Sequence, residues 1–206
     1  MGTAIRGEHA LERLVFFSDA VFAIAITLLV LEVKVPVLPK GSPDALYWNA
    51  LAGIIPSFMG YLLSFVVIGV FWIGHHRAFA MATRYSSKVL GWNLGLLCVI
   101  AFMPFITAFD AHNLNQRVPS ILYCAALFVA GGFNAAVIHV ATGPEMVSPE
   151  CSSAEIAYVR WRSISVIMGA GTAIVLAFFV PQFGQMGLIS IGLWRRVLTR
   201  GTAKPD

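Results

Sequence analysis

The sequence predicts an all-α protein that crosses a membrane six times. Of its 206 residues, 58% are hydrophobic and only 12% are charged, and the mean hydropathy is +0.80. Soluble domains carry about 25% charged residues, so this composition is typical of an integral membrane protein. A helix needs roughly 20 mainly apolar residues to span a bilayer. Charge-free runs of that length or longer cover 45–74, 89–109, 118–143 and 163–194.

The first four helices follow directly from these apolar stretches. The first is predicted over 12–34, around an uncharged run from Ala20 to Leu31 that continues into apolar residues on its amino-terminal side. The second, third and fourth helices follow the charge-free runs. They are predicted over 48–73, 89–109 and 119–140.

The last charge-free run is longer than one membrane crossing and contains VPQFGQ at 180–185. Proline removes a backbone donor and disrupts a helix interior, so we divide the run at Pro181. This division gives a fifth helix over 158–180 and a short sixth helix over 182–197. The whole chain, 1–206, is then predicted to be a single six-helix transmembrane domain.

The distribution of Lys and Arg favours six crossings over five. In membrane proteins these residues are enriched in short loops on the cytoplasmic side. With six helices and the N-terminus inside, eleven face the cytoplasm and three face outward, whereas five helices would leave seven on each side. We therefore predict a multi-pass protein of the cell membrane with both termini cytoplasmic. The cytoplasmic group is Arg6, Arg13, Arg77, Arg84, Lys88, Arg160, Arg162, Arg195, Arg196, Arg200 and Lys204, and the outer group is Lys34, Lys40 and Arg117.

The first helix combines an aliphatic stripe with a separate polar spot. Successive residues turn by about 100°, so Leu28 and Leu31 fall within about 40° of Ile24, and Ser18 and Asp19 fall about 120–140° away. A carboxylate within a membrane helix is costly unless it is paired, which makes Asp19 a candidate functional residue. From this pattern alone, the stripe fits lipid or core contact as well as a pore lining. Asp19 equally fits a structural pair with a neighbouring helix.

Three segments of the first half carry recognisable motifs. The first helix contains Arg-x-x-x-Phe-Ser-Asp at 13–19, followed by AVFAIAITLLVLEVKVP. The second ends in FWIGHHRAF at 71–79, and the third contains WNLGLLCVIAFMPFITA at 92–108. Together they resemble the transmembrane protein 175 family, which contains lysosomal and prokaryotic potassium channels. The resemblance covers most of helices one to three and is weak in helices four to six.

This resemblance implies a homotetramer in which four copies of the first helix line a central pore. Prokaryotic members of the family have one six-helix unit per chain, and this chain has one copy of the Phe-Ser-Asp motif. The family lacks the selectivity loop of ordinary potassium channels. Here too no TVGYG occurs, because Gly60 and Tyr61 are followed by Leu62.

The resemblance also implies where the pore is narrow and what supports it. Aliphatic rings constrict the pore in this family, and the motif places them at Ile24, Leu28 and Leu31. Thr27, about 60° from Ile24, is a candidate polar contact for the ion. The motif residues Arg13, Phe17, Ser18 and Asp19 are expected to be structural. Their candidate partners on helices two and three are His76, Trp92 and Asn93.

The expected function is a potassium-selective or potassium-preferring leak-type cation channel with a hydrophobic constriction formed by helix one. Its expected partners are potassium ions, the lipid bilayer and other copies of the chain, with no nucleic acid. The alternatives are a proton- or cation-coupled secondary transporter and a membrane protein without flux. No inverted repeat or pair of broken helices favours the transporter.

An enzyme is not expected, because the sequence has no HExxH, phosphate loop or paired catalytic carboxylates. No cofactor is expected, and no metal beyond transient potassium in the pore. His75 and His76 are adjacent, so on a helix they point about 100° apart and cannot chelate one ion together.

Overall fold

The computed structural model describes the backbone of residues 2–200 and the side chains of residues 9–200. The side chain of Arg6 and the tail 201–206 with Lys204 lie outside this range. The seven α-helices of the described chain are α1 Gly2–Leu28, α2 Asp44–Gly53, α3 Ile55–Met81, α4 Ser87–His112, α5 Arg117–Ala141, α6 Ser153–Phe179 and α7 Ser190–Leu198, and 3₁₀ segments cover Leu29–Glu32 and Pro181–Ile189.

Five segments of the described chain are long and apolar enough to cross a membrane. They are α1 with its 3₁₀ continuation, α3, α4, α5 and α6. The prediction of an all-helical, multi-pass membrane protein is therefore confirmed. The described chain forms no strand, and its only β-type pairing is an isolated bridge between Ala82 and Val147.

The sixth helix predicted over 182–197 is not a single α-helix. Its first part is the 3₁₀ segment Pro181–Ile189, and only α7 is α-helical. Gly184 and Gly187 face α6 so closely that an added Cβ would lie 2.7 Å from Ala177 and 2.5 Å from Ala173. Glycine disfavours the α-helix but allows this close approach of two backbones. The glycines thus account for both the 3₁₀ conformation and the close packing of this segment on α6. The number of membrane crossings stays a prediction.

The second predicted helix, 48–73, is divided in the structure. α2 ends at Gly53, Ile54 separates it from α3, and Pro56 occupies the first turn of α3. Proline fits the start of a helix, but within a continuous helix its ring would clash with the carbonyl of Ala52. α3 then continues to Met81, beyond the predicted end.

The remaining helices differ from prediction mainly at their ends. α4 and α5 extend the predicted spans by a few residues. α6 begins five residues early because Ser152 and Glu155 form a capping box, which satisfies free backbone N–H groups at the first turn. α1 packs on α3 and α4, and α5 packs between α4 and α6. The main apolar core draws on all five of the long helices and on the 3₁₀ segment after α6.

A candidate pore helix and its anchoring site

One face of α1 is anchored to the rest of the chain. Leu14, Ser18, Phe22, Ala25 and Leu29 are all buried, and they recur every three or four residues. This spacing places them on one side of the helix. The partners of that side are α3 and α4. The polar residue Ser18 is therefore enclosed between three helices.

The aliphatic stripe lies on the other face of α1 and continues into the 3₁₀ segment, which contains Leu31. Ile24 is 58% exposed, Leu28 is 41% exposed and Leu31 is 71% exposed within the single chain. The motif residue Phe17 is also exposed. Ile26, about 160° from Ile24, is half-buried against the core instead. The stripe is thus largely accessible within the single chain.

Ser18, Asn93 and His75 form a buried chain of hydrogen bonds at one end of α1. The Ser18 hydroxyl donates to the Leu14 carbonyl at 2.7 Å, which uses its only hydrogen. It therefore accepts the bond from Asn93 Nδ2 at 2.8 Å. This orientation turns Asn93 Oδ1 towards His75 Nε2, also at 2.8 Å, so Nε2 carries a proton and donates. These hydrogen bonds join α1, α4 and α3, and each has a defined donor and acceptor.

Two aromatic rings enclose His75. The ring centroids of Phe22 and Phe79 lie 5.5 and 4.5 Å from that of the imidazole, and His75 is fully buried. Nδ1 of His75 has no hydrogen-bond partner among the described residues. The imidazole is therefore a polar group that lies between apolar rings of α1 and α3 and bonds to α4.

Asp19 binds Trp72 and not His76. The indole Nε1 of Trp72 donates to Asp19 Oδ1 at 2.8 Å. His76 instead stacks on the Trp72 ring, with 5.5 Å between centroids and 26° between planes. His76, a candidate partner of the motif, thus contacts the ring of the residue that bonds to Asp19. Trp72 is longer than histidine and reaches the carboxylate from one turn earlier on α3.

The other predicted motif residues have different surroundings. Trp92 is exposed and lies against Phe133, with 6.1 Å between ring centroids, so it does not bond to the motif. Arg13 is exposed, and within the described side chains it forms no ion pair with Asp19. Of the three predicted partners, Asn93 alone is hydrogen-bonded to the motif.

Thr27 lies beside the stripe with its oxygen available. It is exposed, and its hydroxyl donates to the Ile24 carbonyl at 2.9 Å. Because the hydrogen is turned back to the helix, the lone pairs of the oxygen face outward. Such an oxygen can contact a cation.

The hydrogen-bonded residues Ser18, Asp19, Trp72, His75 and Asn93 form the anchoring site of α1. Two of them, His75 and Trp72, are not among the residues predicted from the sequence. The buried positions of α3 include Ser64, Ile68, Phe71 and His75, which recur every three or four residues. This periodicity distinguishes His75 from its neighbour His76. No comparable signal identifies Trp72, which resembles an ordinary interface tryptophan.

Comparison with known proteins places these residues within a matched region. Residues 13–104 match the family model described as "Endosomal/lysosomal potassium channel TMEM175". A potassium channel of Streptomyces collinus is 34% identical over 167 residues, which covers 79% of this chain and 80% of that one. A potassium channel of Chamaesiphon minutus is 38% identical over 148 residues, with 70% and 72% coverage. The chain belongs to the TMEM175 family.

A solved structure extends the TMEM175 likeness to nearly the whole chain. It is the crystal structure of a lysosomal potassium-selective channel TMEM175 homolog from Chamaesiphon minutus. The two chains superpose with a TM-score of 0.76 at 27% identity, covering 94% of this chain and 100% of that one. The family resemblance inferred from the first three helices is thus confirmed, and the similarity of fold reaches the later helices as well.

Proposed function

We propose that this TMEM175-family chain forms a potassium-conducting leak channel whose pore is lined by the exposed stripe of α1. The observation that carries the proposal is the stripe Ile24–Leu28–Leu31, which is exposed on a helix whose opposite face is tightly anchored. Relatives named as potassium channels support potassium as the conducted ion. Rigid anchoring is what a narrow pore needs, because a small displacement of the lining changes its width.

A pore built this way requires several copies of the chain. One α1 offers a single stripe, and the other helices of its own chain pack on the opposite face. We infer a homotetramer, in which four stripes face a common axis. Native mass spectrometry in mild detergent tests this stoichiometry, and a stable monomer or dimer would contradict the pore model.

Potassium would pass the constriction by losing part of its hydration shell. Rings of Ile24, Leu28 and Leu31 provide no oxygen atoms to replace lost water, so hydration controls passage. K⁺ is favoured over Na⁺ because it holds its water less tightly. Thr27 lies about 60° from Ile24, and its outward lone pairs would contact the partly dehydrated ion.

The deciding experiment compares Ile24→Ala with Val175→Ala in single-channel recordings and in liposomes under potassium and sodium gradients. Val175 is a control on α6 with the same 58% exposure. Ile24→Ala should widen and wet the pore, raise conductance and shift the reversal potential towards equal permeability for the two ions. Val175→Ala should change neither quantity.

Ile26→Ala provides a second control on the same helix, about 160° from Ile24. It should leave selectivity unchanged, provided that gel filtration shows an intact assembly. Equal effects of the Ile24 and Ile26 substitutions would reject the stripe as the pore lining. Absence of potassium flux from the unmodified protein would reject the channel function itself.

Two other functional classes have less support. The relatives are named channels, which favours a channel over a coupled transporter. A transporter would move potassium at a rate that saturates and would need a coupling ion. A membrane protein without flux fails the liposome assay. We assign no catalytic role to the chain.

We also propose six crossings of the cell membrane with both termini in the cytoplasm. The segment Pro181–Leu198 runs antiparallel to α6, since Gly184 lies near Ala177 and Gly187 lies near Ala173. Its two parts together extend roughly 30 Å, about the thickness of the hydrocarbon core. A fluorescent protein fused after residue 206 should fold and emit in the bacterial cytoplasm. A C-terminal alkaline phosphatase fusion active in the periplasm would instead indicate five crossings.

A further inference from the structure

A second buried polar cluster surrounds Asp110, far along the chain from the α1 anchoring site. Asp110 lies near the end of α4 and is only 6% exposed. Its Oδ1 accepts a hydrogen bond from Ser120 Oγ at 3.3 Å, and its Oδ2 accepts one from Gln185 Nε2. The end of α4 thus meets the first turn of α5 and the amino-terminal half of the 3₁₀ segment Pro181–Ile189.

The charge of Asp110 has no cationic partner in the described part of the chain. Both hydrogen-bond donors are neutral, and the ion pair found among the described side chains joins His9 and Glu12 instead. The guanidinium of Arg117 lies over the Phe178 ring, 5.4 Å from its centroid. Buried carboxylates in proteins are normally paired with a positive charge or bind a cation.

Beside Asp110, the Ser120 hydroxyl is loosely held and lies among other oxygen atoms. Ser120 Oγ lies 3.3 Å from both Asp110 Oδ1 and the Pro181 carbonyl oxygen. These separations exceed the roughly 2.7–2.8 Å of a good O–H···O bond, so the Ser120 hydroxyl bonds only weakly to either oxygen. Cavities of about 170 and 370 Å³ adjoin Asp110 and Gln185, and the smaller is also lined by Gln182. The carboxylate therefore has both neighbouring oxygens and space.

We propose that Asp110, Ser120, the Pro181 carbonyl and Gln185 bind a monovalent cation, K⁺ or Na⁺, at a site separate from the pore. A single carboxylate among neutral oxygens suits one positive charge, whereas calcium sites in proteins usually contain several carboxylates. A half-turn of the Gln185 amide replaces Nε2 by Oε1 as the atom that faces the ion. The bound cation connects α4, α5 and the 3₁₀ segment and stabilises their contact.

The test measures the melting temperature of the purified protein in detergent. KCl, NaCl or CaCl₂ replaces choline chloride at constant ionic strength. The melting temperature of the unmodified protein should rise and saturate with K⁺ or Na⁺, because a ligand bound to the folded state stabilises it. Asp110→Asn should abolish this rise. Asp44→Asn on the exposed helix α2 is the control and should behave like the unmodified protein.

Ser120→Ala removes one oxygen ligand and keeps the charge. It should shift the half-maximal salt concentration upward by roughly tenfold, the effect of about 1.4 kcal/mol of lost binding. An equal salt response in the unmodified protein and Asp110→Asn would overturn the proposal, because the ion would then act elsewhere. A response to Ca²⁺ alone, or to no salt, would also overturn it.

Rubidium diffraction keeps the proposal testable if Asp110→Asn does not fold. Crystals of the unmodified protein grown in RbCl should show anomalous density beside the Asp110 carboxylate. Density confined to the channel axis would refute the second site. The two proposals can fail separately. Liposome flux tests the channel function, and the salt dependence of the melting temperature tests the Asp110 site even in a protein that shows no flux.

Discussion

The two faces of α1 differ in burial and in polarity. On the anchored face, Ser18 donates a hydrogen bond of 2.7 Å to the Leu14 carbonyl and accepts one of 2.8 Å from Asn93 of α4. Phe22 and Leu29 on this face are almost completely buried. On the stripe, the side chains are aliphatic and 41–71% exposed within the single chain. The anchored face therefore contributes to the stability of the single chain. The stripe is available for contacts that the single chain does not make, and substitutions on the two faces should separate stability from conduction.

The largest effect should come from removing an aromatic side chain from the anchored face. Phe22 is 1% exposed and packs beside the His75 ring. Phe22→Ala should lower the free energy of unfolding by about 3–5 kcal/mol, because it leaves a cavity between α1 and α3. Denaturant or thermal unfolding in detergent measures the loss. Unfolding indistinguishable from the unmodified protein would mean that α1 is not anchored as described.

Asn93→Ala should have a smaller effect on stability than Phe22→Ala. The substitution removes the bond to Ser18 and leaves His75 Nε2 without its acceptor in a buried site. Loss of a buried partner costs about 1–3 kcal/mol, which the same unfolding assay detects. Asn49→Ala on the exposed surface of α2 is the matched control and should have no measurable effect. Similar losses for the two variants would remove the distinction between the anchored and exposed asparagines.

The contribution of Asp19 to stability should come more from its acceptor oxygen than from its negative charge. Its partner is the neutral indole of Trp72, so Asn at this position still accepts the bond. Asp19→Leu and Trp72→Phe should each destabilise the chain by about 1 kcal/mol, and Asp19→Asn by less. If Asp19→Asn is as damaging as Asp19→Leu, the negative charge has an additional partner in the assembled protein.

The smallest effect on stability should occur on the stripe. Leu31 is 71% exposed and Leu29 is fully buried, although they are two residues apart. Leu29→Ala should cost about 2–5 kcal/mol, whereas Leu31→Ala should stay within about 0.5 kcal/mol. Leu31→Ala should instead raise single-channel conductance. A large loss of stability with Leu31→Ala would show that the stripe packs against protein and does not line a pore.

The membrane spans could be predicted closely because hydropathy depends on composition alone. α4 and α5 match the charge-free runs 89–109 and 118–143 to within a few residues. Helix ends were less accurate where local chemistry decided them. The capping box at Ser152 extended α6, and Pro56 ended the continuity of the second predicted helix.

The anchoring site could be predicted only in part. Helical geometry placed Ser18 away from Ile24, and the motif drew attention to Asn93, which bonds to it. The prediction takes His76 instead of His75, because α3 is apolar on nearly every face and its inward positions are known only once it is folded. Trp72 was missed because a tryptophan near a helix end is usual in membrane proteins.

The sequence by itself determined that the chain is a helical membrane protein of the TMEM175 family and that α1 carries an aliphatic stripe. Both follow from composition, motif and the 100° turn of a helix, which are local properties. Only the tertiary structure decided which side of α1 is anchored and that Trp72 binds Asp19. It also brought Ser120 and Gln185 to Asp110, from positions 10 and 75 residues away. Contacts between distant segments depend on how whole helices pack, and no local pattern encodes that packing.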